Sequence, residues 1–173
     1  AESDTRFVAK PSILGRAVFI GTSNAAPAWS TWTSTLCNRK GWAHHHFAIG
    51  SSGFNAATEI SFITQLRNAI ASPAFVNAEV THVFVCDAGN DIRSIANVRA
   101  TSELVFSEAR ANFPNARIIM LPALWGQATE NTSDSRIRSV NARVQELSES
   151  ALLHRVEMID YSYLWHWDNT GYM

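Results

Sequence analysis

Hydrophobic residues along the chain fall into short blocks, and the stretches between them have the length and spacing of helices. Ala17-Val18-Phe19-Ile20 closes on Gly21, as a strand buried in a parallel sheet does. A helix is predicted from about residue 27 to 39. Pro27 suits its start, Trp29, Trp32 and Leu36 share a face that belongs to the core, and Gly41 suits the residue just past its end. A second strand is predicted around 45–49, then a Gly/Ser loop and a helix with Ile60, Ile63, Leu66 and Ile70 on one face. Residues 80–86, β-branched and aromatic, make the clearest strand, with His82 expected to be buried in it. A long helical stretch then reaches Phe113, Pro114-Asn115 supplies a turn, and 116–121 reads as a fourth strand. After a loop holding Trp125 and Gly126, Ser133 or Asp134 can cap a helix whose Ile137, Val140, Val144, Leu147 and Ala151 recur at intervals of three and four. Residues 156–160 are a fifth strand, and the aromatic-rich segment 161–173 has no clear period.

Strands alternating with helices of this length predict an α/β fold: a three-layer α/β/α sandwich with a mostly parallel five-stranded sheet. With 173 residues and 46% hydrophobic content, the chain can bury a full core as one domain over 1–173, without disulfides or metal. The net charge is −1 and the 14 Lys and Arg residues are scattered, which argues against a nucleic-acid partner and against an anionic membrane surface. No apolar run approaches the ~20 residues that span a bilayer, and Ala1-Glu2-Ser3-Asp4 does not open a secretory signal. Cys37 and Cys86, one in a helix and one ending a strand, read as two buried free thiols.

The histidines invite a metal reading that the geometry of a strand weakens. In His44-His45-His46 the first and third rings share one face and the second takes the other, so at most two act together, and no acidic or cysteine partner is evident. No metal is expected. His154 stands at a helix end, where a cation needs no catalytic explanation.

Three polar segments directly follow strand-like runs: Gly21-Thr22-Ser23-Asn24, Gly50-Ser51-Ser52-Gly53 and Gly89-Asn90-Asp91. A parallel sheet presents its ligand crevice at the carboxyl ends of its strands, so loops far apart in sequence converge there. A sharp strand-to-helix turn exposes a serine hydroxyl for attack. Backbone N–H groups and an amide side chain nearby can stabilise the charge that develops on a carbonyl oxygen. Glycine at position 53 would let a substrate approach the backbone closely, and Asp91 is expected to order its loop rather than touch substrate.

The three segments resemble the blocks of the SGNH (GDSL-like) hydrolases, an α/β family of esterases, lipases and carbohydrate deacetylases, and more closely SGNH-type domains of bacteriophage tail proteins. The resemblance runs from Ala17 onward. It implies the flavodoxin-like SGNH fold, Ser23 as nucleophile, Gly53 and Asn90 as oxyanion-hole donors with the Ser23 N–H, and no cofactor. The reaction implied is hydrolysis of an O-acyl ester, expected to be an O-acetyl group on a cell-surface polysaccharide, in an extracellular or virion setting.

The chain departs from the family pattern in three places. Thr22 replaces the acid of Gly-Asp-Ser, and Ala88 stands where Gly-x-Asn-Asp has glycine. The Asp-x-x-His block that supplies the base is not found, since Asp168 is followed three residues later by Gly171. The sequence favours a chain that lacks this block. Two further explanations stand beside it: a site completed by another chain, such as a further virion subunit, and a degenerate hydrolase kept as a non-catalytic tail or glycan-binding module. Among the histidines His166 is the candidate base, with a plain aromatic-loop role as its alternative. Trp125, Trp165 and Trp167 follow predicted strands and could stack on a sugar ring or equally pack within the domain or against a neighbouring subunit.

Overall fold

Alternation along the first apolar block decides the layering, because Ala17 and Phe19 face one way, Val18 and Ile20 face the other, and all four are fully buried. The two pairs belong to separate cores. The computed structural model describes residues 13–27, 31–86, 90–91, 98–122 and 145–159. Within them β1 (Gly15–Gly21) is the strand around which the sheet is built. It is flanked by β2 (Trp42–His46) and β3 (His82–Cys86), with β4 (Arg117–Leu121) and β5 (Glu157–Met158) beyond β3. The sheet order is β2-β1-β3-β4-β5, and every neighbouring pair is parallel. The α/β architecture and the five-stranded parallel sheet predicted from periodicity are therefore present.

Helices cover both faces. α1 (Trp32–Lys40) connects β1 to β2, and its Cys37 joins Ala17, Phe19 and Phe84 in the smaller core. α2 (Phe62–Ile70) and α3 (Val98–Asn112) lie on the opposite face, where Phe62, Leu66, Val105 and Phe106 meet Val18, Ile20 and Val83. Leu147 and Ala151, from helical residues 145–153, join that larger core. Each fully buried phenylalanine, such as Phe19, Phe62 or Phe106, contributes about 1.5–3 kcal/mol relative to exposure. The placement follows from right-handed crossovers: the chain moves one way from β1 to β2 and the other way from β2 to β3, so the intervening helices fall on opposite faces.

Several predicted boundaries shift, each for a visible reason. α1 begins at Trp32 rather than at Pro27, with Thr31 as its N-cap. Its fully packed face is Thr33 and Cys37, while Trp32 and Leu36 are half-buried; Trp29 lies outside the described residues. Gly41 ends the helix in the left-handed region, φ 67°, as expected. β2 starts at Trp42, three residues before the predicted position, because this edge strand is half-buried throughout and carries no apolar run. The buried face of α2 is Phe62, Gln65, Leu66 and Ala69, while the predicted Ile63 and Ile70 sit at its margin. His82 is half-buried rather than buried, its ring stacked on Trp42 at 4.0 Å. The helix cap at Ser133 or Asp134, together with Ile137, Val140 and Val144, lies outside the described residues.

Candidate active site

The sheet order reverses at β1: its connection leads outward to β2, while that of β3 leads the other way. In a doubly wound sheet such a reversal opens a crevice at the carboxyl ends of the two strands. The segment after β1 carries Ser23, and the segment after β3 carries Asn90 and Asp91.

The Ser23 turn is built by backbone bonds. Thr22 N–H continues the pairing with β3 by donating to the Cys86 carbonyl at 3.2 Å, and the Thr22 carbonyl accepts from Ala25 and Ala26 N–H at 3.0 and 3.1 Å. Ser23 is left at the apex, half-buried. Two rings brace the turn from outside: Trp32 Nε1–H donates to the Asn24 carbonyl at 2.7 Å and His46 Nε2–H to the Ala25 carbonyl at 2.6 Å. Neither the Ser23 hydroxyl nor its N–H has a hydrogen-bond partner among the described residues.

The 50–53 loop closes over the same place. Ser51 takes φ 61°, uncommon for a residue with a side chain, and the chain turns sharply there. Ser52 is fully buried and its hydroxyl donates to the Gly21 carbonyl at 2.7 Å. A Cβ at Gly50 would lie 3.9 Å from Ser23 Cβ, which places this loop against the serine. The third segment docks on the second: Asn90 Nδ2–H donates to the Ser52 carbonyl at 2.8 Å, leaving a second amide N–H. Asp91 is 3% exposed, and its two oxygens accept from Phe54 and Asn55 N–H at 2.9 and 2.8 Å. Asp91 thus holds the 53–55 segment; the loop around Asp91 itself, which it was expected to order, lies largely outside the described residues.

Gly53 has a different cause from the one its sequence context implies. A Cβ there would lie 2.8 Å from both Asp91 carboxylate oxygens, so the position is glycine because Asp91 fills the space, with no substrate needed to explain it. Its carbonyl accepts from Phe62 N–H at 3.0 Å, and its N–H has no partner among the described residues. Ser23, Gly53 and Asn90, separated by up to 67 positions in sequence, therefore belong to one contiguous set of loops. His166, Trp125, Trp165 and Trp167 lie outside the described residues.

Two contributors escaped the sequence reading. Gln65, fully buried on α2, accepts from Gly21 N–H at 2.7 Å through Oε1 and donates to the Ile60 carbonyl at 2.9 Å through Nε2. Its only signal was a polar residue inside a helical apolar stripe. Ser52 gave none beyond its place beside Gly53.

Burial pushes the Cys37 thiol up to about 11, which makes it an inert core group. His44, His45 and His82 are all pushed below the usual histidine value, burial being the largest cause in each. His44 and His46 share one face, with ring centroids 5.8 Å apart, and His45 packs on Phe75 across the sheet, the division expected of a strand. Among the described residues no group of three His, Cys, Asp or Glu side chains is placed to hold a metal ion, and no helix is long and apolar enough to cross a membrane.

No family profile matches the sequence, and no curated protein sequence matches it. Solved structures do match the fold. Phospholipase A1 from Streptomyces albidoflavus aligns at 14% identity and TM-score 0.59 over 86% of this chain and 80% of that one. A GDSL-like lipase candidate from Parabacteroides merdae aligns at 9% identity and TM-score 0.64, over 86% and 78%. The acetyl xylan esterase Est2A from Butyrivibrio proteoclasticus aligns at 12% and TM-score 0.60, over 87% of this chain and 56% of its own. At such identities the likeness establishes a shared fold, that of these lipases and esterases.

Proposed function

We propose that the chain is a serine ester hydrolase of the SGNH type, acting on O-acyl esters through an acyl-enzyme on Ser23. The observation that carries this reading is the convergence of the Ser23 turn, the 50–53 loop and Asn90 at the reversal point of the sheet. The fold shared with a phospholipase, a lipase candidate and an acetyl xylan esterase supports it.

In this mechanism Ser23 Oγ attacks the acyl carbon while its proton passes to a base, and the carbonyl electrons move onto oxygen. Ser23 N–H, Gly53 N–H and the second Asn90 amide N–H are the donors for that oxyanion, each removal costing about 3–4 kcal/mol of barrier. Collapse expels the alcohol with the returned proton and leaves the acyl group on Ser23. Water then adds to the acyl carbon by the same route and releases the acid. The base is a residue absent from or unrecognised in this sequence, such as one from a second chain, and His166 is the candidate within it. Without a base, positioning and the oxyanion hole would still leave a residual 10³–10⁴-fold effect, on the order seen in serine hydrolases. The substrate class we favour is an O-acetylated polysaccharide, with Trp125, Trp165 and Trp167 as candidate sugar platforms, and the setting is the cell exterior or a virion.

A fluorophosphonate, which modifies only an activated serine, tests the reading together with turnover of p-nitrophenyl acetate. One adduct on Ser23 and turnover abolished in Ser23→Ala support it. No adduct, with glycan binding unchanged in Ser23→Ala, replaces it with a non-catalytic binding module.

A further inference from the structure

A fully buried glutamine in a helical stripe otherwise made of Phe62, Leu66 and Ala69 demands an explanation, because leucine would pack there without any polar group to satisfy. The explanation lies at the end of β1. The parallel ladder runs on past the edge strand: Phe47 N–H donates to the Phe19 carbonyl at 2.8 Å and Ile49 N–H to the Gly21 carbonyl at 3.0 Å. The same ladder would give Gly21 N–H the Phe47 carbonyl as its acceptor. Gly21 N–H donates instead to Gln65 Oε1 at 2.7 Å.

Both sides of Gly21 are thus held from outside β1, its N–H by Gln65 and its carbonyl by Ser52 Oγ and Ile49 N–H. Gln65 is itself fixed, because its Nε2 is bonded to the Ile60 carbonyl at 2.9 Å. Gly21 has no room to adjust on its remaining side, where a Cβ would meet the Cys86 carbonyl oxygen at 2.4 Å. Ser23 follows two residues later.

We infer that Gln65 is a positioning residue: by replacing a ladder carbonyl at the last residue of β1, it sets the backbone from which the Ser23 turn departs. This rests on the ester-hydrolase reading only for its consequence in catalysis. The effect on the turn stands without it.

The test follows amide exchange in the full chain for the wild type, Gln65→Met and Gln65→Glu. Methionine keeps the length and loses both bonds, while glutamate keeps an acceptor for Gly21 N–H. Exchange in the 17–24 segment is expected to quicken about tenfold or more in Gln65→Met, with protection kept in β3 and β4. Unchanged exchange in that segment, or equal quickening in all strands, overturns the proposal. Should Gln65→Met fail to fold, Gln65→Glu decides, read at a pH where the carboxyl is protonated and can both accept from Gly21 N–H and donate to the Ile60 carbonyl: wild-type protection of the segment supports the inference and its loss overturns it. On the catalytic side, Gln65→Met is expected to slow fluorophosphonate labelling of Ser23 and kcat about tenfold or more, with KM nearly unchanged, since small misplacements act on the chemical step. Equal labelling of wild type and Gln65→Met overturns the positioning role while leaving the hydrolase reading standing. An unlabelled wild type removes the hydrolase reading and leaves the exchange result to judge Gln65.

Discussion

The Asp91 carboxylate sits where a side chain at Gly53 would have to go, with both oxygens 2.8 Å from the position of a Cβ on that glycine. The same two oxygens accept from Phe54 and Asn55 N–H, so the carboxylate binds the backbone immediately after the glycine it excludes from change. Position 53 and position 91 therefore specify each other. Gly53→Ala is expected to destabilise the fold by about 1–3 kcal/mol, the usual cost of overpacking a closed site. Asp91→Ala is expected to cost about 1–3 kcal/mol for each of the two N–H groups it leaves without an acceptor. In the double variant the clash is gone, so the two costs sum to less than their separate values. Urea melts of the four proteins in a double-mutant cycle measure this, and strict additivity would show that the two positions are not coupled.

Gly21→Ala probes the opposite wall. Its Cβ would meet the Cys86 carbonyl oxygen at 2.4 Å and Cys86 Cβ at 2.7 Å, and the backbone there has φ 154°. Relief requires β1 and β3 to part at their carboxyl ends, where Thr22 N–H donates to the Cys86 carbonyl. The expected loss is about 3 kcal/mol or more, above the ordinary range for a point substitution. Thermal melts read it, and a loss below about 1 kcal/mol would mean that the two strands separate easily.

How much of this was legible in the sequence depended on whether a residue's environment is local. β1 and β3 could be read because both are apolar runs buried on two faces. β2 was placed too late because Trp42-Ala43-His44-His45-His46 is half-buried along its length and its partners, Phe19 and Trp42's neighbour His82, belong to other strands. The loops with Ser23, Gly53 and Asn90 stood out because each comes just after a strand-like run in the sequence. Gln65 did not, since its reason for being buried is a peptide group 44 residues away. Hydrophobicity ranks Ile63 above Gln65 for the core, and the structure reverses the order because both polar ends of the glutamine are satisfied.

Asn90 separates a structural from a catalytic duty. One amide N–H is spent on the Ser52 carbonyl, and the other is the proposed oxyanion donor. Asn90→Ala is expected to lower kcat for p-nitrophenyl acetate about 10²–10³-fold. The variant also takes a donor from the Ser52 carbonyl, so the fold is expected to lose about 1 kcal/mol, read by urea melts. Equal turnover in the variant and the wild type would remove Asn90 from the oxyanion hole.

The histidines of the sheet make stability fall on mild acidification. His44 Nε2 and His45 Nε2 are buried without partners among the described residues, so a proton placed there has no acceptor among them. His44 faces Phe19 and the His46 ring; His45 faces Phe75 and feels the charge of Arg16; His82 lies under Trp42, with Arg117 opposing its protonation and Glu157 favouring it. All three are held below the histidine value of the unfolded chain, about 6.5. The unfolded state therefore takes up protons first as pH drops, and folding free energy is lost from about pH 6.5 downward until the native rings themselves titrate. Glu108 and Glu157, held down chiefly by hydrogen bonds from Arg67 and Arg117, add a loss of the same sign, but only from the ordinary carboxylate range downward. Between roughly pH 6.5 and 5 the histidines act alone among these shifted groups. The midpoint of urea unfolding should fall steadily across that window, and His44→Leu should flatten the slope. A midpoint that holds level from pH 7 to 5, or a slope unchanged in His44→Leu, would mean that these rings gain protons in the folded sheet as readily as in the unfolded chain.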